Sequence, residues 1–305
     1  MFRKHTRRAA KAAFAISTGV ALLLGGTASA ARQHAAATPT VTIGTKNFTE
    51  QYVLGQLYKQ ALEAKGFKVV YKENIGSSEL IDTALQSGKI NFYPEYTGVI
   101  VADLAKLPSP KSAATAYSEA KKFEEGRGNT LLNRTPFYDS DSFGMLTSTA
   151  TKLGVKTIGD MKKVKSFSFG GFPECRTRIT CLLGLKQTYG LTQTKFVPLG
   201  AVSVYTLLDQ GKITSGDLFS TDPQLASSKY TILKDTKHIF GFQNVAPVLS
   251  KKLATAGGAT LASTVNAVSA KLSLKAMIAM NGAVAIDKKS PEDVASAFLT
   301  ANKLK

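Results

Sequence analysis

Residues 41–51, VTIGTKNFTEQ, and 93–98, YPEYTG, open and close the stretch whose reading decides the fold. Val41 and Ile43 read as a short apolar strand, Gly44 and Lys46 as a turn, and Asn47 as a helix start whose side chain accepts from the free amide of Glu50. Leu54, Leu57, Ala61 and Leu62 recur at helical spacing, and Lys65-Gly66 supplies a stop. A strand from Phe67 to Tyr71 follows. The pattern then repeats, with a Gly76-Ser77-Ser78 turn, a helix through Leu80, Ile81, Ala84 and Leu85, a stop at Gly88, and a third strand ending at Tyr96. Strands alternating with helices of this length predict an α/β fold with a mostly parallel sheet, whose ligands collect at the carboxyl ends of the strands. Lys46, Ser78 and Tyr96 are thereby placed along one edge.

The 305 residues, 44% of them hydrophobic, suffice for two domains. Residues 1–30 read as an export signal: Arg3, Lys4, Arg7, Arg8 and Lys11, then an apolar run from Ala12 to Gly25 too short to span a bilayer, then Ala28-Ser29-Ala30. The competing reading is an N-terminal anchor. Cleavage near Ala30 would remove five positive charges and lower the net charge from +18 to +13, leaving a periplasmic or extracellular protein. The remaining excess is spread over lysine pairs beside helix ends, a solvated basic surface rather than a nucleic-acid stripe. Residues 31–40 read as a flexible leader.

The second half restates the first. Thr206-Leu207-Leu208-Asp209-Gln210-Gly211-Lys212-Ile213 echoes Thr83-Ala84-Leu85-Gln86-Ser87-Gly88-Lys89-Ile90, and eight residues beyond each glycine stand Phe219 and Tyr96. Chain crossings are placed near Asp141 and near Asn244. They give domain I as 41–140 with 245–305, domain II as 141–244, and a hinged cleft between them, the usual arrangement for closure around a ligand. The last helix, capped at Ser290-Pro291, is expected to pack Val294, Ala297 and Phe298 on domain I.

Beyond the signal only His34 and His238 remain, which excludes a histidine dyad or a histidine-rich metal site, and no phosphate-binding glycine loop occurs. Asp139, Asp141, Asp217 and Asp222 read as turn and helix caps more readily than as acids or bases. Neither a catalytic set nor a cofactor is predicted. Cys175 and Cys181 are expected to pair in an exported chain. Six residues of continuous helix would hold their Cα atoms roughly 9 Å apart, beyond disulfide reach, so pairing requires a turned loop.

The residues KNFTEQYVLGQLYKQALEAKG, the Gly-Ser-Ser turn, YPEYTG, FGG at 169–171 with Pro173, Glu174 and Arg178, LGLKQTYG, FSTDP and QNVAPV, in that order, carry a resemblance. From Val41 to the C-terminus the chain resembles the substrate-binding subunits of ABC importers for quaternary ammonium osmoprotectants. The resemblance implies a type II periplasmic-binding-protein fold, a ligand such as glycine betaine, choline or carnitine, and membrane permease subunits as partners of a monomeric receptor. It also implies an ammonium cage at Tyr96, Phe143 and Phe219, with a fourth position on Phe242 or Gln243. Lys46 and Arg178 match carboxylate-side donors, and Ser78 matches a turn position that helps set ligand choice. Phe143 and Phe219 stand where the family often has tyrosine, and Val99 where it has a threonine hydroxyl. A disulfide between Cys175 and Cys181 would hold Arg178 at the cleft. The alternatives are a receptor for another small amine or zwitterion, and an extracytoplasmic enzyme using a cleft aspartate.

Overall fold

The computed structural model describes residues 38–305, so the segment read as an export signal and most of the expected leader lie outside the described residues. Its strands are β1 (Val41–Lys46), β2 (Val69–Gly76), β3 (Phe92–Tyr96), β4 (Asn129–Leu131), β5 (Asp141–Leu146), β6 (Phe167–Gly171), β7 (Thr194–Pro198), β8 (Ser215–Phe219), β9 (Tyr230–Ile232) and β10 (Val245–Ser250). They form two five-stranded sheets, ordered β2-β1-β3-β10-β4 and β7-β6-β8-β5-β9. In each, three parallel strands are followed by one antiparallel strand and a fifth that pairs antiparallel with it and so runs with the first three. The two sheets share one topology, in which β3 and β8 are equivalent central strands. Tyr96 and Phe219, matched by the sequence echo, are the last residues of these two strands.

Helix α1 (Thr49–Glu63) buries Val53, Leu54, Leu57, Tyr58, Ala61 and Leu62 against the C-terminal helices Lys251–Lys271, Leu274–Ala285 and Pro291–Ala301. Tyr58 contributes a buried hydroxyl 2.9 Å from Ser269 Oγ, so the interior polar group is satisfied. Val294 and Leu299 of the last helix join this core, with Phe298 partly buried against it. Helix α2 (Ser78–Gln86) covers the opposite face of the same sheet through Ile81, Ala84 and Leu85.

Two local expectations fail. Asn47 does not cap α1: Phe48 holds the N-cap position in extended backbone without a side-chain cap, because β1 continues through Lys46 and the helix begins only at Thr49. The second strand starts two residues late and runs on to Gly76, since its parallel register with β1 pairs Val41 with Val69 and Lys46 with Gly76.

The sheets are joined twice, by residues 132–140 and 233–244. The two connections lie side by side, bridging at Tyr138 and Asn244, and the Asp139 amide donates to the Gln243 carbonyl at 3.0 Å. Asn244 ties them further: its Nδ2 donates to the carbonyls of Thr135 and Phe137, and its Oδ1 accepts from Arg134. The result is a two-domain type II fold with a cleft over the hinge.

Candidate functional site

Four aromatic rings meet in that cleft. Phe48, at the turn from β1 into α1, lies face to face with Phe219, centroids 5.7 Å apart and planes 2° from parallel. Its neighbours are Tyr96 at 6.2 Å and Phe172 at 6.4 Å, and Phe172 is 6.3 Å from Phe219. Phe48 and Tyr96 come from the first lobe, Phe172 and Phe219 from the second. The rings border a cavity of about 40 Å³ that also touches Lys46, Ser78, Arg178 and Gln243.

The two cations of this cavity already have acids. Lys46 Nζ donates to Glu95 at 2.5 Å and to Ser78 Oγ at 3.1 Å, and stands 4.2 Å from the Tyr96 ring centroid. Arg178 makes a two-pronged pair with Glu79 of α2, at 3.1 and 3.0 Å, across the cleft. Burial would raise the Glu79 carboxyl, but Arg178 overrides it and holds the group at about 2. Thr180 adds a second bond between lobes, donating to Asp103 at 2.7 Å. Cys175 and Cys181 form the disulfide that brackets Arg178, with Cα atoms 5.2 Å apart on a turned segment rather than a continuous helix.

Asp139, Asp141 and Asp217 face the same cavity without a basic partner at hydrogen-bond distance. Burial pushes all three up. The charges of Glu50 and Asp222 add to the effect at Asp139, and the charge of Asp141 adds to it at Asp217. Asp222, also buried, is raised to about 6, as is Asp141. The capping reading holds in part, since Asp222 accepts from the Phe219 amide at 2.8 Å and Asp139 from the Thr221 amide at 3.2 Å.

An acid whose folded pKa is raised binds its proton more tightly when folded, so it stabilises the fold as pH falls toward its unfolded value near 4. Glu79, depressed, loses its contribution only below that value. Without ligand, the protein should therefore melt at a higher temperature at pH 5.5 than at pH 7.5, as read by scanning calorimetry. A lower melting temperature at pH 5.5 would mean that these carboxyls are charged and compensated in the fold.

Two expected cage residues are placed elsewhere. Phe143 is fully buried in the core of the second lobe, 5.1 Å from Phe169 and 5.9 Å from Phe167. On β5 it shares the face of Asp141 and, across the ladder, of Asp217, but it lies two residues further into the strand than Asp141 at the cleft end and is covered by the core of the lobe. Phe242 is partly exposed beside Tyr138, His238 and Phe240, on a different surface. The chain turns over between it and Gln243, because Thr97 Oγ1 donates to the Phe242 carbonyl while Gln243 is drawn inward. Gln243 does reach the cavity, but its amide is committed to the Val99 amide and the Phe240 carbonyl. It packs so closely on Gly98 that a Cβ there would lie 2.7 Å from its Oε1. Phe143→Leu should thus lower the melting temperature and leave ligand affinity unchanged, and an affinity loss at unchanged stability would return Phe143 to the site.

Phe48 and Phe172 line the cavity that Phe143 and Phe242 were expected to line. Their sequence signal is slight: Phe48 lies inside the KNFTEQ run, and Phe172 between FGG and the following proline.

Paired hinge strands, two lobes of one topology and a cleft lined from both define a two-lobed ligand receptor. Residues 39–301 match the family described as the substrate binding domain of ABC-type glycine betaine transport systems, and the chain belongs to this family. It is 29% identical over 277 residues to a glycine-betaine-binding protein of Pseudomonas aeruginosa, covering 87% of this chain and 88% of that one. With the carnitine transport binding protein OpuCC of Listeria monocytogenes it shares 25% over 270 residues, 86% and 87% of the two chains. Among solved structures, a glycine betaine/carnitine/choline ABC transporter protein superposes with a TM-score of 0.69 at 23% identity, over 87% of this chain and 99% of that one. The family is one of transport receptors rather than enzymes. No helix among the described residues is long and apolar enough to cross a membrane.

Proposed function

We propose that this protein is an exported receptor that captures a quaternary ammonium solute between its lobes and delivers it to membrane permease subunits, binding without turnover. The observation that carries this reading is the gathering of four rings, two from each lobe, at the carboxyl ends of β1, β3, β6 and β8. A quaternary ammonium has no N–H to donate and is held by aromatic faces, at about 0.5–2 kcal/mol per ring. Rings contributed by both lobes make that attraction available only to the closed form, which is how a ligand favours closure. Phe48, Tyr96, Phe172 and Phe219 are the proposed cage, with Lys46, Ser78, Arg178 and Gln243 as its polar frame. The division into 41–140 with 245–305 and 141–244 keeps each sheet within one lobe. The glycine-betaine, carnitine and choline names of the relatives agree with this ligand class.

The test is isothermal titration of the purified chain lacking residues 1–30 with glycine betaine, choline, carnitine and proline betaine, since the sequence has no tryptophan to report binding. One-site saturable binding to at least one of the four is expected. Heat that never saturates with any of them would remove the quaternary ammonium reading.

A further inference from the structure

Behind the rings lies a second and larger space, a chamber of about 300 Å³. Phe48, Phe172, Phe219, Asp139 and Asp217 border both spaces, so the two are adjacent. Its charged lining is one-sided: Glu50, Asp139, Asp217 and Asp222, with no lysine, arginine or histidine. Acidic residues can gather in a turn for structural reasons, but two further observations point to a missing donor. Asp217 is 4% exposed, its Oδ1 has no partner, and its Oδ2 lies 3.5 Å from Cys181 Sγ, a disulfide sulfur with no hydrogen to give. Among the described residues, no group donates a hydrogen to either oxygen. Asn281, 5% exposed, spends its Nδ2 on Glu50 at 3.1 Å and the Thr221 carbonyl at 3.3 Å, which leaves Oδ1 buried and unpaired. Buried acceptors left in this condition are costly and are normally met by donors.

Glycine betaine does not meet them. It offers methyl groups and a carboxylate, and the carboxylate would enter a space already crowded with acids. Lys46 and Arg178, which would hold a carboxylate, are both committed to glutamates. A bare metal ion is a poor match too, because the chamber is much larger than an ion and Leu199, Val202 and Val204 make part of its wall apolar.

We infer that the ligand is a two-ended organic cation without a carboxylate. Its alkylated ammonium lies against the four rings, and a second, N–H-bearing end, a primary ammonium or guanidinium, enters the acidic chamber toward Asp217, Asp222 and Asn281. This rests on the reading of the rings as an ammonium cage and adds to it the chemistry of the other end. Short methylene linkers suit the apolar wall, and the N–H groups supply the donors that Asp217 and Asn281 lack.

The experiment compares three compounds by isothermal titration at pH 7.5: (3-aminopropyl)trimethylammonium, choline and glycine betaine. Choline carries the same head group and no second cation, and glycine betaine carries a carboxylate. The amine is expected to bind at least ~30-fold more tightly than choline, with glycine betaine weakest. Asp222→Asn, whose residue borders the chamber but not the ring cavity, is expected to cost the amine about tenfold more than it costs choline. Equal affinities for amine and choline, or glycine betaine as the tightest of the three, overturn the chamber as a cation subsite and leave the ring cage standing. No saturable binding by any of the three, nor by carnitine or proline betaine, overturns both.

Discussion

Replacing Tyr96 and Phe219 together by alanine is expected to weaken ligand binding about 100-fold or more, with the fold intact. Each ring contributes about 0.5–2 kcal/mol to a quaternary ammonium, toward the upper end when water is excluded, and 1.4 kcal/mol is tenfold in affinity. The two come from opposite lobes, so their removal also deprives both halves of the closed form of a ring wall. Phe219 is in addition the stacking partner of Phe48, which would be left facing water. Tyr96→Phe separates the ring from its hydroxyl, which donates to Glu50 at 2.9 Å and accepts from Gln51 at 3.3 Å. That variant should keep most of the affinity if the face of the ring is what binds. Titration with the tightest-binding compound, alongside a thermal melt of each variant, gives the answer. Undiminished affinity in the double variant would mean that the ligand does not lie among these rings.

The second large effect concerns the buried pair beneath the cage. Lys46 and Glu95 are almost wholly removed from solvent, with side chains 5% and 0% exposed. Glu95 also accepts from the Tyr96 amide at 2.8 Å, so the pair fixes the end of β3 that presents the ring. Lys46→Met leaves a carboxylate buried without its counter-charge, a loss of about 3–5 kcal/mol. At 2–4 °C per kcal/mol for a protein of this size, the melting temperature should fall by roughly 10 °C. Lys46→Met combined with Glu95→Gln removes both charges and retains an acceptor for the Tyr96 amide, and should recover most of the loss. The two singles and the double form a cycle, and strict additivity would show that the two groups are not energetically joined. Glu95 is thus a structural partner within the first lobe. Lys46 lies at the cleft edge, but the charge that a carboxylate would seek is already spent.

The sequence by itself determined the alternation of strands and helices, because hydrophobic period and glycine stops are local properties. It determined that the chain crosses twice between two similar halves, since the echo around Gly88 and Gly211 repeats a local unit and carries Tyr96 and Phe219 to equivalent strand ends. Lys46 and Ser78 were legible as cleft residues because the strand–helix junctions they belong to fall along one sheet edge, while Arg178 was reached through the family resemblance. Tertiary structure alone decided which aromatics meet. Phe143 and Phe242 stand in the right segments, but Phe143 lies two residues deeper along β5 than the cleft end at Asp141 and is covered by the core, and the turn of the hinge sends Phe242 to a different surface. How deep a strand residue is covered and which way a hinge residue faces are set by the elements packed on them, which local pattern does not carry. Phe48 and Phe172, 124 residues apart, are brought together by the packing of two lobes, as are Arg178 and Glu79, while Asn281 meets Glu50 through the return of the C-terminal helices to the first lobe. The acidic chamber has the same origin: Glu50, Asp139, Asp217 and Asp222 are scattered in sequence, the aspartates each plausible as caps, and become a single electrostatic feature only when the two lobes come together.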